Sequence, residues 1–119
     1  METKKGVTGV VFFREKDSPF FLLLHRCLNW QGWEFPKGGG EENESSKAGV
    51  VREIKEEAGL IDVSVVCELA SGIEWQAKGK KYIYSGFLVE SKSKEVIIDQ
   101  EVQEHDAYKW VAAKEAHEL

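Results

Sequence analysis

Glu53, Glu56 and Glu57 crowd one face of the helix expected within GGGEENESSKAGVVREIKEEAGL, residues 38–60. Residues three and four apart are helical neighbours, and each like-charged pair there destabilises a helix by about 0.2–0.5 kcal/mol. Gly59 is a natural C-terminal cap, so Glu56 and Glu57 fall in the last turn, where the helix dipole disfavours anions. A hard divalent cation resolves the conflict. Mg²⁺ takes oxygen ligands from a few carboxylates and completes its shell with water and substrate phosphate oxygens. The segment therefore reads as a metal site for phosphate chemistry.

At about 100° per residue, Ala48, Val51, Ile54 and Ala58 share one stripe of this helix, roughly opposite the three glutamates. One face packs and the other binds. Arg52 sits beside Glu53 and one turn before Glu56, where a guanidinium can orient a carboxylate through paired hydrogen bonds. Gly49 lies on the carboxylate face and leaves room for a ligand, at about 1 kcal/mol relative to alanine. The competing reading is a solvated acidic face. Such faces carry interspersed lysines at pairing distance, and here the only cation is Arg52.

Gly38, five residues, Glu44, seven residues, then Arg52-Glu53-Ile54-Lys55-Glu56-Glu57-Ala58-Gly59-Leu60 resembles the complete Nudix box. That box is the signature of hydrolases acting on nucleoside diphosphates linked to another group. The lead-in Trp33-Glu34-Phe35-Pro36-Lys37-Gly38 and the downstream strands extend the resemblance over nearly the whole chain. It implies a mixed β-sheet sandwiched between α-helices, with a loop–helix–loop built by the box.

The elements that must position these residues follow from pattern. Gly6–Phe13 and Phe20–His25 read as apolar strands joined by the polar turn Arg14–Pro19 in a hairpin. Cys27–Gly32 is a loop, and Trp33–Phe35 a short extended piece halted by Pro36. The box helix starts between Asn43 and Ser46, which offer several N-caps. Asp62–Ala70 and Tyr82–Val89 are two further strands with Ala77–Lys81 as their turn, Ala107–Val111 is a last strand, and a closing helix of about two turns starts at Ala112. Strands and helices are mixed without a βαβ rhythm, which predicts a single α+β layered domain over residues 1–119.

Composition bounds the function. The 119 residues, 42% hydrophobic and 31% charged, are those of a globular domain, with no run approaching a membrane span and no signal-peptide core at METKKGVTG. A cytoplasmic location is expected, as monomer or homodimer. Cys27 and Cys67 lack metal or CxxC spacing and are expected to be reduced, partly buried small hydrophobes. The net charge of −5 argues against binding along a polynucleotide, leaving an RNA 5′ end as the exception, but not against a nucleotide, because bound cations reverse the local sign.

By the resemblance, Glu53, Glu56 and Glu57 are metal ligands for magnesium (Mg²⁺), with manganese (Mn²⁺) as the alternative. The Lys37 or Gly38 carbonyl adds a backbone ligand, and Arg52 orients Glu53. Glu44 is either a supporting carboxylate or a helix N-terminal residue favoured by the dipole. Gly38, Gly39 and Gly40 form a flexible turn. Gln103–Trp110 is similar to the late loop and strand of asymmetrical diadenosine tetraphosphate hydrolases, where the matching Glu104 approaches the metals; Glu101 competes with it. His105 is a solvated loop residue or a phosphate contact, and His25 a structural residue or a substrate contact. Tyr84 is the implied base-stacking residue, with Tyr82 on the same strand face divided evenly between stacking and core packing. Trp75 stands in for a tyrosine that the subfamily carries near Ala77, Lys80 and Lys81 meet the phosphate chain, and Lys37 is a further substrate contact. The implied substrate is a small-molecule nucleotide, diadenosine tetraphosphate, cut to ATP and AMP. Alternatives are oxidised nucleoside triphosphates, ADP-ribose, inositol pyrophosphates, RNA 5′ ends, and, from another class, a non-catalytic nucleotide sensor.

Overall fold

The computed structural model describes residues 1–98 and 104–118. The elements run β1 (Glu2–Glu15), β2 (Ser18–Arg26), β3 (Gly32–Glu34), β4 (Lys37–Gly39), α1 (Ser46–Ala58), β5 (Val63–Ala77), β6 (Lys80–Ser91), β7 (His105–Val111) and α2 (Ala113–Glu118). The strands make one mixed sheet in the order β3-β2-β1-β6-β5, with β4 also paired to β1 and β7 to β2. The β1–β6 ladder is parallel, from Glu2↔Lys80 to Phe12↔Glu90, and the other pairings are antiparallel. This is the α+β domain expected. Among the described residues no helix is long and apolar enough to cross a membrane.

The core lies between α1 and the middle of the sheet. Val7, Val11, Leu22, Leu24, Phe87 and Val89 from the strands meet Val50, Ile54 and Ala58 from the helix. Gly9 sets the approach: a Cβ there would stand 3.0 Å from Ile54 and 3.1 Å from Val50. The helix thus nestles onto β1 through Val50 and Ile54, which corrects the predicted stripe. Ala48 is exposed and Val51 only partly buried, because the helix is rotated toward Gly9.

Both hairpins are longer and tighter than expected. The strands reach Glu15 and restart at Ser18, leaving Lys16 and Asp17 with φ of 51° and 66°; β5 runs past Ala70 to Ala77 and turns at Lys78 and Gly79 with φ of 51° and 74°. Two successive left-handed residues make the turn whose twist matches its flanking strands. The Gly38–Gly40 turn is also revised. Lys37–Gly39 is a strand, with Gly6↔Gly39 and Thr8↔Lys37 in register. Cys27 and Cys67 are exposed rather than partly buried. Glu101 lies outside the described residues.

Candidate active site

Local rules build the helix that carries the carboxylates. Ser45, in extended geometry, accepts a hydrogen bond from the Ala48 N–H at 3.1 Å, and Gly59 closes the helix at φ 69° with its N–H on the Lys55 carbonyl. These are the caps the sequence demands. They leave Glu56 and Glu57 in the last turn.

Arg52 ties the site together. Its Nε and Nη2 donate to the two oxygens of Glu44 at 2.7 and 3.0 Å, a bidentate fork, while Nη1 donates to Glu53 at 3.0 Å and Glu56 at 3.1 Å. Nη2 also reaches the Gly39 carbonyl at 2.9 Å. Arg52 therefore orients Glu53, and Glu44 as well, whose carboxyl the Arg52 hydrogen bonds hold below its usual range. Gly49 lines the cleft beside α1 and also makes room for Glu44. A Cβ at Gly49 would lie 3.1 Å from the Glu44 Oε1.

The three glutamates do not all face away from the packed side. Glu53 and Glu57 are buried, each 8% exposed, and only Glu56 is exposed. Glu53 nests on β4, where a Cβ on Gly38 would fall 2.2 Å from its carboxyl. Glu57 Oε1 accepts from the Lys37 N–H at 2.8 Å. Burial raises Glu53 despite Arg52. Burial, then a hydrogen bond shared with Glu104, pushes the Glu57 carboxyl up to about 9. One oxygen each from Glu57 and Glu104 and a ring nitrogen of His105 lie within 4.8 Å of one another. Carboxyls gathered in this way suit a hard divalent cation, which takes oxygen ligands.

Glu104 precedes β7, its carbonyl accepting from the Cys27 N–H at 3.0 Å. His105 is buried, neither solvated nor free for phosphate: its Nε2 lies 2.8 Å from Glu34 Oε2. His25 is engaged structurally, with Nδ1 2.7 Å from Asp106 and its ring edge-on to Trp33 at 5.0 Å.

The aromatic residues meet beside the carboxylates. Trp75 and Tyr82 are paired across β5 and β6 and stack at 5.3 Å and 11°, while Trp75 and Tyr84 are 4.8 Å apart. None belongs to the buried core. Gly6 leaves space for the Tyr84 ring, which a Cβ would approach to 2.3 Å. Burial and then the Glu53 charge raise the Tyr84 phenol. Tyr82 and Tyr84 line a cleft of about 640 Å³ with Lys4, Lys5, Gly40 and Glu44.

Lys80 and Lys81 do not line this cleft. The parallel register sets Lys80 beside Glu2 at 3.5 Å, and Lys81 binds Glu74 across the hairpin at 2.6 Å. Lys37 Nζ lies 3.8 Å from Glu34 Oε1, so the lysine is drawn toward that carboxylate. Sequence reasoning missed Lys4, Lys5, Arg26 and Glu34. The available signals were the lysine pair just ahead of the first apolar strand and the charged Glu34 set between aromatic residues.

A mixed-sheet domain presenting a carboxylate-rich loop–helix–loop pinned by an arginine defines the Nudix fold. The NUDIX domain model matches residues 3–119, and the chain belongs to the Nudix family. An RNA pyrophosphohydrolase of Campylobacter jejuni subsp. doylei is 34% identical over 97 residues, covering 73% of this chain and 62% of that relative. The chain thus spans less than two thirds of that relative's length. An RNA pyrophosphohydrolase of Nitratiruptor sp. is 32% identical over 105 residues, 80% of this chain and 68% of the relative. A C. elegans Ap4A hydrolase binary complex superposes with a TM-score of 0.84 at 24% identity, covering 98% of this chain and 85% of that one. A MutT protein from Methanosarcina mazei Go1 gives 0.81 at 26% identity, over 99% and 83%.

Proposed function

We propose that this chain is a divalent-cation-dependent pyrophosphohydrolase that cleaves a phosphoanhydride bond in a nucleoside 5′-polyphosphate. The observation that carries the reading is the meeting of Glu57 with Glu104, one carboxylate oxygen of each within 4.8 Å of the other, Glu57 lying on the helix that also carries the buried Glu53. Glu53, Glu56, Glu57 and Glu104, with the Gly38 carbonyl, would hold magnesium or manganese. When bound, such a cation neutralises charge on phosphoryl oxygens and acidifies the attacking water. The chain's own residues do the positioning. Arg52 fixes Glu53 and Glu56 in orientation, and Glu44 fixes Arg52. Tyr84, Tyr82 and Trp75 offer a base a stacking surface, and Lys4 and Lys5, on the same cleft as the tyrosines, offer charge to the phosphate chain.

The leading substrate is a dinucleoside polyphosphate such as diadenosine tetraphosphate, cut to ATP and AMP in the cytoplasm, because the aromatic trio provides for a base beside the carboxylates. The 5′ end of RNA is the second reading, favoured by the name of the relatives at 32–34% identity. A panel of diadenosine tetraphosphate, 5′-triphosphorylated oligoribonucleotide, ADP-ribose and oxidised deoxyguanosine triphosphate, with magnesium and chromatographic identification of products, tests both. ATP and AMP from the tetraphosphate are expected. Preference for the RNA end puts the second reading first, and binding without turnover of any member supports a sensor.

A further inference from the structure

Glu104 stands outside regular structure, one residue before β7, yet one of its carboxylate oxygens lies within 4.8 Å of one from Glu57. A loop carboxylate needs an anchor to hold such a place, and this one has a charged network. Arg26 sets Nη2 3.4 Å from Glu104 Oε1 and Nη1 3.4 Å from Glu34 Oε2, bridging the two. The same Glu34 oxygen lies 2.8 Å from the Nε2 of His105, the residue directly after Glu104. Side-chain exposure is 8% for Glu34, 15% for Arg26 and 3% for His105.

Geometry and energetics both set this group apart from ordinary packing. The β2–β7 register slips between His25 and Arg26, so that His25 faces Ala107 while Arg26 faces His105. Bulges of this kind re-aim side chains and recur beside active sites. Buried ion pairs are also a poor source of stability compared with apolar residues of similar volume. Glu34 Oε1 underlines the point, since among the described residues it is buried without a hydrogen bond.

We propose that Arg26, Glu34 and His105 are positioning residues that hold Glu104 against Glu57 in the arrangement a divalent cation requires. The proposal rests on the reading of Glu104 as a metal ligand. Partners behind a metal ligand typically change metal affinity 10–100-fold when mutated.

The test is Mn²⁺ binding by calorimetry in the absence of substrate, on the full chain and on Glu34→Gln, Arg26→Lys, Glu104→Gln and the two double variants. Circular dichroism confirms folding, and Arg26→Lys carries the test if Glu34→Gln does not fold. Either single change is expected to weaken Mn²⁺ binding about 10–100-fold. Neither should weaken it further once Glu104 is Gln, the non-additivity of residues acting through one another. Unchanged affinity in the single variants, or an equal loss in both backgrounds, overturns the proposal. So does an Arg26 that instead contacts substrate phosphate, which would raise KM in both backgrounds while leaving Mn²⁺ affinity alone. A parent chain that shows the coupling yet hydrolyses nothing in the substrate panel refutes the hydrolase reading and leaves the positioning network standing. A parent that binds no Mn²⁺ overturns both.

Discussion

Glu57→Gln should stabilise the metal-free protein at neutral and alkaline pH while removing its activity. In the folded chain the Glu57 carboxyl titrates near 9, against an ordinary value of 4.5, because it is buried and shares a hydrogen bond with Glu104. Between those values the folded protein keeps a proton that the unfolded chain has released, so stability falls as pH rises. From 4.5 to pH 7 the gap is 2.5 units, and at 1.36 kcal/mol per unit the loss is about 3 kcal/mol. The titration belongs to the Glu57–Glu104 pair rather than to one residue. Glu53, also raised by burial, acts in the same sense, whereas Glu34, buried but lowered on balance by His105, Lys37 and Arg26, and Glu44, lowered by Arg52, change stability only at lower pH. Urea unfolding of parent and Glu57→Gln in chelator, from pH 3 to pH 9, provides the comparison, and the difference between the two proteins cancels titrating groups outside the Glu57–Glu104 pair. The variant should gain on the parent by about 3 kcal/mol between the acid limit and pH 7. Curves that stay parallel across the whole range would show that Glu57 is ionised without metal and would refute the reasoning. A companion result is that magnesium binding at pH 7 releases about one proton, measurable by calorimetry in two buffers.

With saturating magnesium, Glu56→Gln should lose about 10²–10³ in turnover while keeping its fold, since it removes ligand charge without removing volume; near-native turnover would remove Glu56 from the site. Glu104→Gln should lower kcat more than it raises KM, by about 10²–10⁴ if it acts as general base, and steady-state kinetics beside Glu101→Gln, expected to do little, decide which late carboxylate acts. Tyr84→Ala should raise KM for diadenosine tetraphosphate by the equivalent of about 1–3 kcal/mol of stacking, and an unchanged KM would return Tyr84 to a packing role.

The helix and its ends are legible in the sequence because their rules are local. Ser45 caps three residues ahead, Gly59 adopts φ 69°, and Arg52 reaches Glu53 and Glu56 within one turn. Features set by strand register are not. Lys80 and Lys81 point at carboxylates because the ladder places Lys80 opposite Glu2 and Lys81 opposite Gln76, two residues from Glu74, and no local pattern states that pairing. Arg26, Glu34 and His105 come from three strands and meet where β2 slips register against β7, so each looks ordinary alone. In sequence, Gly49 and the Gly38 region read as space for a ligand or as a turn, and what the sequence hides is that their missing side chains also admit the carboxylates of Glu44 and Glu53. Burial of Glu53 and Glu57 is hidden for a related reason: helical spacing gives the angle between side chains but not which neighbour covers them.

The parallel ladder of β1 with β6 bears on how this protein comes into being. Its partners Glu2 and Lys80 through Phe12 and Glu90 are 78 residues apart, so the central strand waits for most of the chain before its long partner exists. A loop that size must close before the pairing contributes any stability, and such pairings fold slowly. On the ribosome, β1 and β2 form their hairpin early but expose an unpaired edge until β6 emerges, a stage at which association with other chains competes. Glu104 appears later still. The carboxyl cluster is therefore completed only after β6 has joined β1, and a divalent cation held there can stabilise the finished domain without templating its early steps.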